Sequence, residues 1–258
     1  MKLPVNPFNK GIKAAERQIG LWVSLRNNFA AEAVNTCGYD WLLVDMEHCP
    51  NDLSIVLTQL QVFASGTSTA IVRPPWNDAV MVKRLLDMGA QGLLFPMIQS
   101  VEEAENAVAA TRYPPRGIRG VSGTTRANAF GRITDYFDRV EEETTVIVQL
   151  ETRKAIEQAS AIANVDGVDG VFFGPADIAA DIGKLGQPMC KEVWEVIRPA
   201  ASELIRQGIP VGTLVFDVDF AAQLMGEGFS FVACGSDLSL VTKGADKLLA
   251  DMRSKMAR

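Results

Sequence analysis

Eight short apolar runs, each followed by a longer stretch of helical period, recur through the 258 residues. The predicted strands are Ile19–Leu25, Trp41–Asp45, Thr69–Arg73, Gly92–Pro96, Thr145–Glu151, Gly170–Gly174, Pro210–Leu214 and Phe231–Gly235. Between them apolar residues fall three and four apart, as in Ala79-Val80-x-Val82-x-x-Leu85-Leu86-x-Met88-Gly89-Ala90, a helix closed by glycine. Eight strand–helix alternations in about 250 residues predict an α/β fold, a single (β/α)8 TIM barrel with its chemistry at the C-terminal ends of the strands. No low-complexity segment or composition shift marks a second domain, so one barrel domain is expected over 1–258.

Two irregularities stand out. The gap between the fourth and fifth strands is about twice the others. It holds a predicted helix near Val101–Thr111, then Tyr113-Pro114-Pro115-Arg116-Gly117-Ile118-Arg119-Gly120 and a polar loop through Arg132. A long loop on an ordinary barrel reads as a lid or binding loop. The tail from Leu240 to Arg258 reads as an additional C-terminal helix, which either closes the barrel or packs on a neighbouring subunit.

The net charge of −6 comes without any acidic or basic run, which argues against a nucleic-acid partner. Cys37, Cys49, Cys190 and Cys234 show no C-x-x-C spacing and read as reduced thiols. The N-terminal residues lack the apolar stretch of a signal peptide, and no apolar run reaches the roughly 20 residues needed to span a bilayer. A cytoplasmic protein without a membrane partner is expected. There is no G-x-G-x-x-G or P-loop motif for a nucleotide. No lysine lies in or at the end of a predicted strand, where a Schiff-base enzyme would need a desolvated amine; Lys154 is the nearest.

The chain has a single histidine, His48, directly after the second predicted strand. Zinc sites built on two or three imidazoles are thereby excluded. A functional His48 would handle protons, since imidazole titrates nearest neutral pH; the alternative is a histidine that satisfies a backbone carbonyl. Any metal would be held mainly by carboxylates and water, which favours Mg²⁺ or Mn²⁺.

Other polar residues collect at predicted strand ends: Asp45 after the second, Arg73 after the third, Gln149 and Glu151 with one parity in the fifth, and Asp177 after the sixth. Neighbouring strands lie about 4.8 Å apart, so Glu151 and Asp177 can reach one ion. Asp177 could instead cap the helix beginning near Ile178. Arg73 carries a planar fork suited to a carboxylate or phosphate. An internal salt bridge with Asp45 or Asp87 is the alternative and is compatible with ligand binding.

Asp45-Met46-Glu47-His48, Arg73-Pro74, the Tyr113–Gly120 segment, Gln149-Leu150-Glu151-Thr152 and Gly174-Pro175-Ala176-Asp177-Ile178 together resemble the HpcH/HpaI family of class II, metal-dependent pyruvate aldolases, in order from about Gly20 to Gly235. The resemblance implies Glu151 and Asp177 as metal ligands and Arg73 as the binder of the pyruvate carboxylate. It implies His48 as acid/base through a metal-bound water, oriented by Asp45. It also implies a role near this proton-handling group for Asp87, which the barrel pattern puts on a helix away from the mouth, so that it would act across a subunit interface. Substrate contacts are expected from Arg73, Gln149, Ala176, Asp177 and Leu214. An aldehyde pocket is expected near Val121-Ser122-Gly123 and Leu214-Val215-Phe216. A divalent cofactor (Mg²⁺ or Mn²⁺, with Co²⁺ an alternative) and a hexamer of paired trimers follow from the same resemblance.

The expected reaction is reversible cleavage of a 4-hydroxy-2-oxo acid to pyruvate and an aldehyde through a metal-stabilised enolate. The rivals are another enolate-forming barrel lyase, of the citrate lyase β or phosphoenolpyruvate-using kind, and a non-catalytic metabolite-binding barrel.

Overall fold

A computed structural model describes residues 1–256. Its eight parallel strands close into a barrel in sequence order, the last pairing with the first. They are β1 (Gln18–Val23), β2 (Trp41–Asp45), β3 (Thr69–Arg73), β4 (Gly92–Phe95), β5 (Thr145–Leu150), β6 (Gly170–Phe173), β7 (Val211–Leu214) and β8 (Phe231–Ser236). The predicted (β/α)8 architecture is therefore the observed one. β1 stops short of its predicted end because the N–H groups of Ser24 and Leu25 turn to the Asp237 carboxylate, at 2.8 and 3.1 Å.

The helices are α1 (Pro7–Lys13), α2 (Asn28–Asn35), α3 (Leu53–Phe63), α4 (Ala79–Asp87), α5 (Val101–Thr111), α6 (Tyr136–Arg139), α7 (Arg153–Glu157), α8 (Ala159–Ala163), α9 (Pro175–Asp181), α10 (Lys191–Arg206), α11 (Val218–Gly226) and α12 (Asp237–Met256). Short polar side chains begin many of them. Asn27, Asp52, Asp78, Ser100, Thr152 and Asp217 each accept a hydrogen bond from the backbone N–H three residues on, which fixes where the chain turns back from strand to helix.

Two apolar layers hold the fold. One packs the outer faces of the strands against the helices. The other fills the barrel with Trp22, Trp41, Phe172 and Phe231, and α1 plugs its lower end by setting Phe8 against Trp41 and Phe231 at ring-centroid distances of 5.7 and 5.5 Å. Gly20 and Gly212 make this possible, since the rings of Trp41 and Phe231 occupy the space a Cβ would need. The α1 plug had no counterpart in the periodicity; its local signal is Asn6-Pro7, an N-cap followed by proline in the first turn.

The long segment between β4 and β5 carries α6 and a 3₁₀ turn (Val140–Glu143) beyond the predicted helix. Its Ile133, Tyr136 and Val140 pack on Leu3 and pin the N-terminal segment. α12 behaves differently. Every residue from Leu240 to Met256 is exposed, including Val241, Leu248, Leu249 and Met252. Among the described residues no helix is long and apolar enough to cross a membrane.

Candidate active site

β2 and β3 pair with Asp45 opposite Arg73. The Arg73 Nε and Nη2 groups donate to the two carboxylate oxygens of Asp45, both at 2.8 Å. Nη1 sits 2.9 Å from Glu47 Oε2. Trp22 forms the floor, with the guanidinium carbon 5.3 Å from its ring centroid. Burial works against the charge on Arg73, but Asp45, Glu47 and Glu151 outweigh it and raise its pKa. Burial likewise pushes the Asp45 carboxyl up, and the Arg73 hydrogen bonds and charge reverse this and hold it below the ordinary carboxylate range.

The internal salt bridge foreseen as one alternative for Arg73 is thus present, with Asp45 and not with Asp87. It engages Nε and Nη2, and Nη1 faces Glu47. Asp45 is fully committed: its oxygens also accept from the Glu47 N–H at 3.0 Å and the Cys49 thiol at 3.2 Å. Burial pushes that thiol up to about 11, which leaves Cys49 a poor nucleophile. The expected Asp45–His48 contact is not the one formed. The carboxylate beside His48 is Glu47, with Nε2 and Oε2 3.8 Å apart, and the imidazole is two-thirds exposed at 67%.

Gln149 and Glu151 share one face of the sheet, as their parity predicts, and touch: Gln149 Nε2 donates to Glu151 Oε1 at 2.8 Å. The Met97 N–H donates to Oε2 at 2.7 Å from a backbone at φ 52°, a left-handed conformation that a bulky residue adopts under constraint. Burial pushes the Glu151 carboxyl up to about 8; the Met97 hydrogen bond opposes this and the Asp177 carboxylate reinforces it. Gly174 is required beside it, since a Cβ would lie 2.8 Å from Glu151 Cγ and Oε1. Asp177 lies within the first turn of α9, whose N-cap is Gly174, so it does not serve as the cap.

Two facing carboxyls, one of them buried with its pKa raised above the ordinary carboxylate range, suit a hard cation that would displace a proton from the pair. Gln149 Oε1 is buried without a hydrogen-bond partner among the described residues, a further unused oxygen beside the pair. Among the described residues no group of three or more His, Cys, Asp or Glu forms a metal cluster.

Leu214, at the end of β7, packs on the interior aromatic layer that includes Trp22, and Ala176 is exposed at the start of α9. Asp87 lies elsewhere, as the last residue of α4, where it accepts from buried Arg119 at 2.8 Å. Val121-Ser122-Gly123 belongs to a segment laid along α4: the Ala127 N–H donates to Asp87 O at 3.1 Å and Asn128 Nδ2 to Gly123 O at 2.9 Å. Within one chain it therefore stands apart from the strand ends that carry Arg73 and Glu151. A cavity of about 690 Å³ opens at the opposite end of the barrel, lined by Leu3, Leu60, Leu86, Arg119 and Tyr136 and by none of the site carboxylates. Size alone does not locate the chemistry here.

Glu47 is the site residue that strand-end reasoning missed. Its signal was present, because it follows Asp45 by two positions, the spacing that keeps a side chain on one face.

A (β/α)8 barrel whose C-terminal mouth gathers a buried guanidinium, an imidazole and a carboxyl pair has the layout of an enzyme for small anionic substrates. Residues 18–244 match the HpcH/HpaI aldolase/citrate lyase family, and the chain belongs to it. Members named as aldolases are carbon–carbon lyases, and this chain is an enzyme of that class. It is 48% identical over 250 residues to a pyruvate aldolase from Rhizobium etli, covering 97% of this chain and 98% of the relative. It is 48% identical over 246 residues to a 4-hydroxy-2-oxo-heptane-1,7-dioate aldolase from Salmonella dublin, covering 95% and 94%. A solved HpcH/HpaI aldolase/citrate lyase family protein from Burkholderia cenocepacia matches with a TM-score of 0.93 at 36% identity, covering 96% of this chain and all of that one.

Proposed function

We propose that the protein catalyses reversible aldol cleavage of 4-hydroxy-2-oxo acids to pyruvate, or a close 2-oxo acid, and an aldehyde. The observation that carries this reading is the gathering of Arg73, Glu47, Glu151 and Asp177 at one barrel mouth, where their charges act on one another. The names of the relatives from Rhizobium etli and Salmonella dublin support the same substrate class.

Arg73 takes the substrate carboxylate, its guanidinium pre-set by Asp45 and Trp22. A bound Mg²⁺ or Mn²⁺, with Co²⁺ an alternative, would be held by Glu151 and Asp177, would polarise the keto group and would stabilise the enolate. His48 moves the proton: it removes one from the C4 hydroxyl in cleavage and from the pyruvate methyl in condensation. Gln149 fixes the Glu151 carboxyl. Ala176, Asp177 and Leu214 line the remaining approach to the substrate.

The working unit is a homo-oligomer, a hexamer of paired trimers. The bare α12 supports this, as does Ile19, a barrel-strand residue left 46% exposed on β1. Asp87 and the Val121–Gly123 segment would serve the site of a neighbouring subunit. The whole of 1–258 acts as one aldolase domain in the cytoplasm.

The test is a retro-aldol screen across a panel of 4-hydroxy-2-oxo acids with several divalent metals, scored by pyruvate release. Malyl-CoA and citramalyl-CoA run alongside. Metal-dependent release from the hydroxy-oxo acids supports the proposal; turnover confined to the CoA esters overturns it.

A further inference from the structure

A guanidinium and an imidazole at this mouth flank one carboxylate. Glu47 Oε2 lies 2.9 Å from Arg73 Nη1 and 3.8 Å from His48 Nε2. The oxygen is buried, yet no donor among the described residues is aligned to hydrogen-bond it. The contact with Arg73 is therefore ionic and weakly directed, unlike the two-point bridge to Asp45. Asp45 cannot take over at His48, because both its oxygens already accept from Arg73, Glu47 and Cys49. Nη1 is also the nitrogen that the bridge leaves for a substrate carboxylate. An incoming carboxylate therefore competes with Glu47 at Nη1, and the other side chain beside Glu47 Oε2 is the His48 imidazole, whose N–H can donate to it.

We propose that Glu47 is a positioning residue for His48, held on Arg73 in the free enzyme and passed to the imidazole when the substrate carboxylate takes Nη1. Binding of the substrate thereby orients the group that moves the proton. The proposal rests on Arg73 as the carboxylate binder and His48 as the base. It assigns Glu47 no contact with substrate or cation.

The handover has a kinetic signature that a packing role does not share. Glu47→Gln keeps the shape and removes the charge that competes for Nη1. In the full-length, metal-loaded protein, KM for pyruvate should stay the same or fall. The metal-dependent exchange of pyruvate methyl protons for deuterium should slow by about 10- to 100-fold, the usual loss when the partner that orients a working group is removed. Because Glu47 acts through His48, adding Glu47→Gln to His48→Ala should slow exchange no further, a fully non-additive cycle. Parallel loss of pyruvate affinity and exchange in Glu47→Gln would show that the residue only builds the Arg73 clamp, and overturns the inference. Wild-type exchange in Glu47→Gln with slow exchange in His48→Ala overturns it too, while leaving the base assignment standing. Wild-type exchange in His48→Ala itself removes the base assignment, whatever Glu47 does. Thermal unfolding of each variant checks that the chain is folded, and Glu47→Ala, which removes charge and shape together, should match Glu47→Gln in exchange.

Discussion

Asp45 and Arg73 are register partners on β2 and β3, and their side chains close a two-point bridge with both N–O distances at 2.8 Å. The bridge is buried, which makes breaking it costly. Asp45→Asn leaves a guanidinium in the barrel without its counter-charge. We expect a loss of about 3–5 kcal/mol in unfolding free energy, the range for removing one partner of a buried pair. Denaturant titration measures it, and an unchanged midpoint counts against the bridge as a structural element.

Arg73→Lys keeps the charge and loses the fork. KM for pyruvate should rise clearly while the chain stays folded, because an ammonium cannot hold Asp45 at two points and still present a donor to the substrate. Normal kinetics in Arg73→Lys, together with unfolding of Arg73→Ala, would return Arg73 to a purely structural role.

Glu151 sets the response to pH and metal. Its carboxyl lies at about 8 in the folded protein against an ordinary 4.5. As pH rises through that window the unfolded chain releases a proton that the native state keeps, so the metal-free protein should lose stability from about pH 4.5 to 8 and level off above. A cation must displace the same proton, so its affinity should rise by about tenfold per pH unit between pH 6 and 8. Thermal unfolding with EDTA or Mn²⁺ at pH 6 and 8 should show the larger metal shift at pH 8, and Glu151→Gln should abolish the difference. EDTA should also abolish turnover, as should Glu151→Ala and Asp177→Ala. Inactivation by borohydride in the presence of pyruvate would point to a lysine Schiff base instead.

Periodicity made the barrel readable because the strands are buried on both faces almost throughout and most of the helices between them on one, and both patterns survive in sequence. The site was readable where chemistry sits at a strand end: Asp45 and Arg73 could be placed as the last residues of their strands, and Gln149 and Glu151 by their shared parity. What the pattern could not supply is the choice among partners. Arg73 had Asp45 and Asp87 as candidates, and β2–β3 register decided for Asp45. His48 was expected to lean on Asp45, but the Arg73 bridge consumes that carboxylate and leaves Glu47 beside the imidazole. The α1 plug was missed because seven residues give too little helical period; Phe8 is held by the aromatic rings of distant strands.

The exposed α12 carries the quaternary prediction. Sedimentation should find a homo-oligomer, with a hexamer as the expected species, and deletion of 240–258 should weaken it. A fully active monomer would contradict both the assembly and the role of Asp87 in a neighbouring site.

The central claim is that His48 moves the substrate proton, and deuterium exchange into pyruvate without any aldehyde isolates that step. His48→Ala or His48→Asn should slow metal-dependent exchange by about 10²–10⁴-fold, the usual share of general acid–base catalysis. Pyruvate and metal affinity should be nearly unchanged, since Arg73, Glu151 and Asp177 are assigned those tasks. Exchange at the wild-type rate in His48→Ala would contradict the account and place the base on another group.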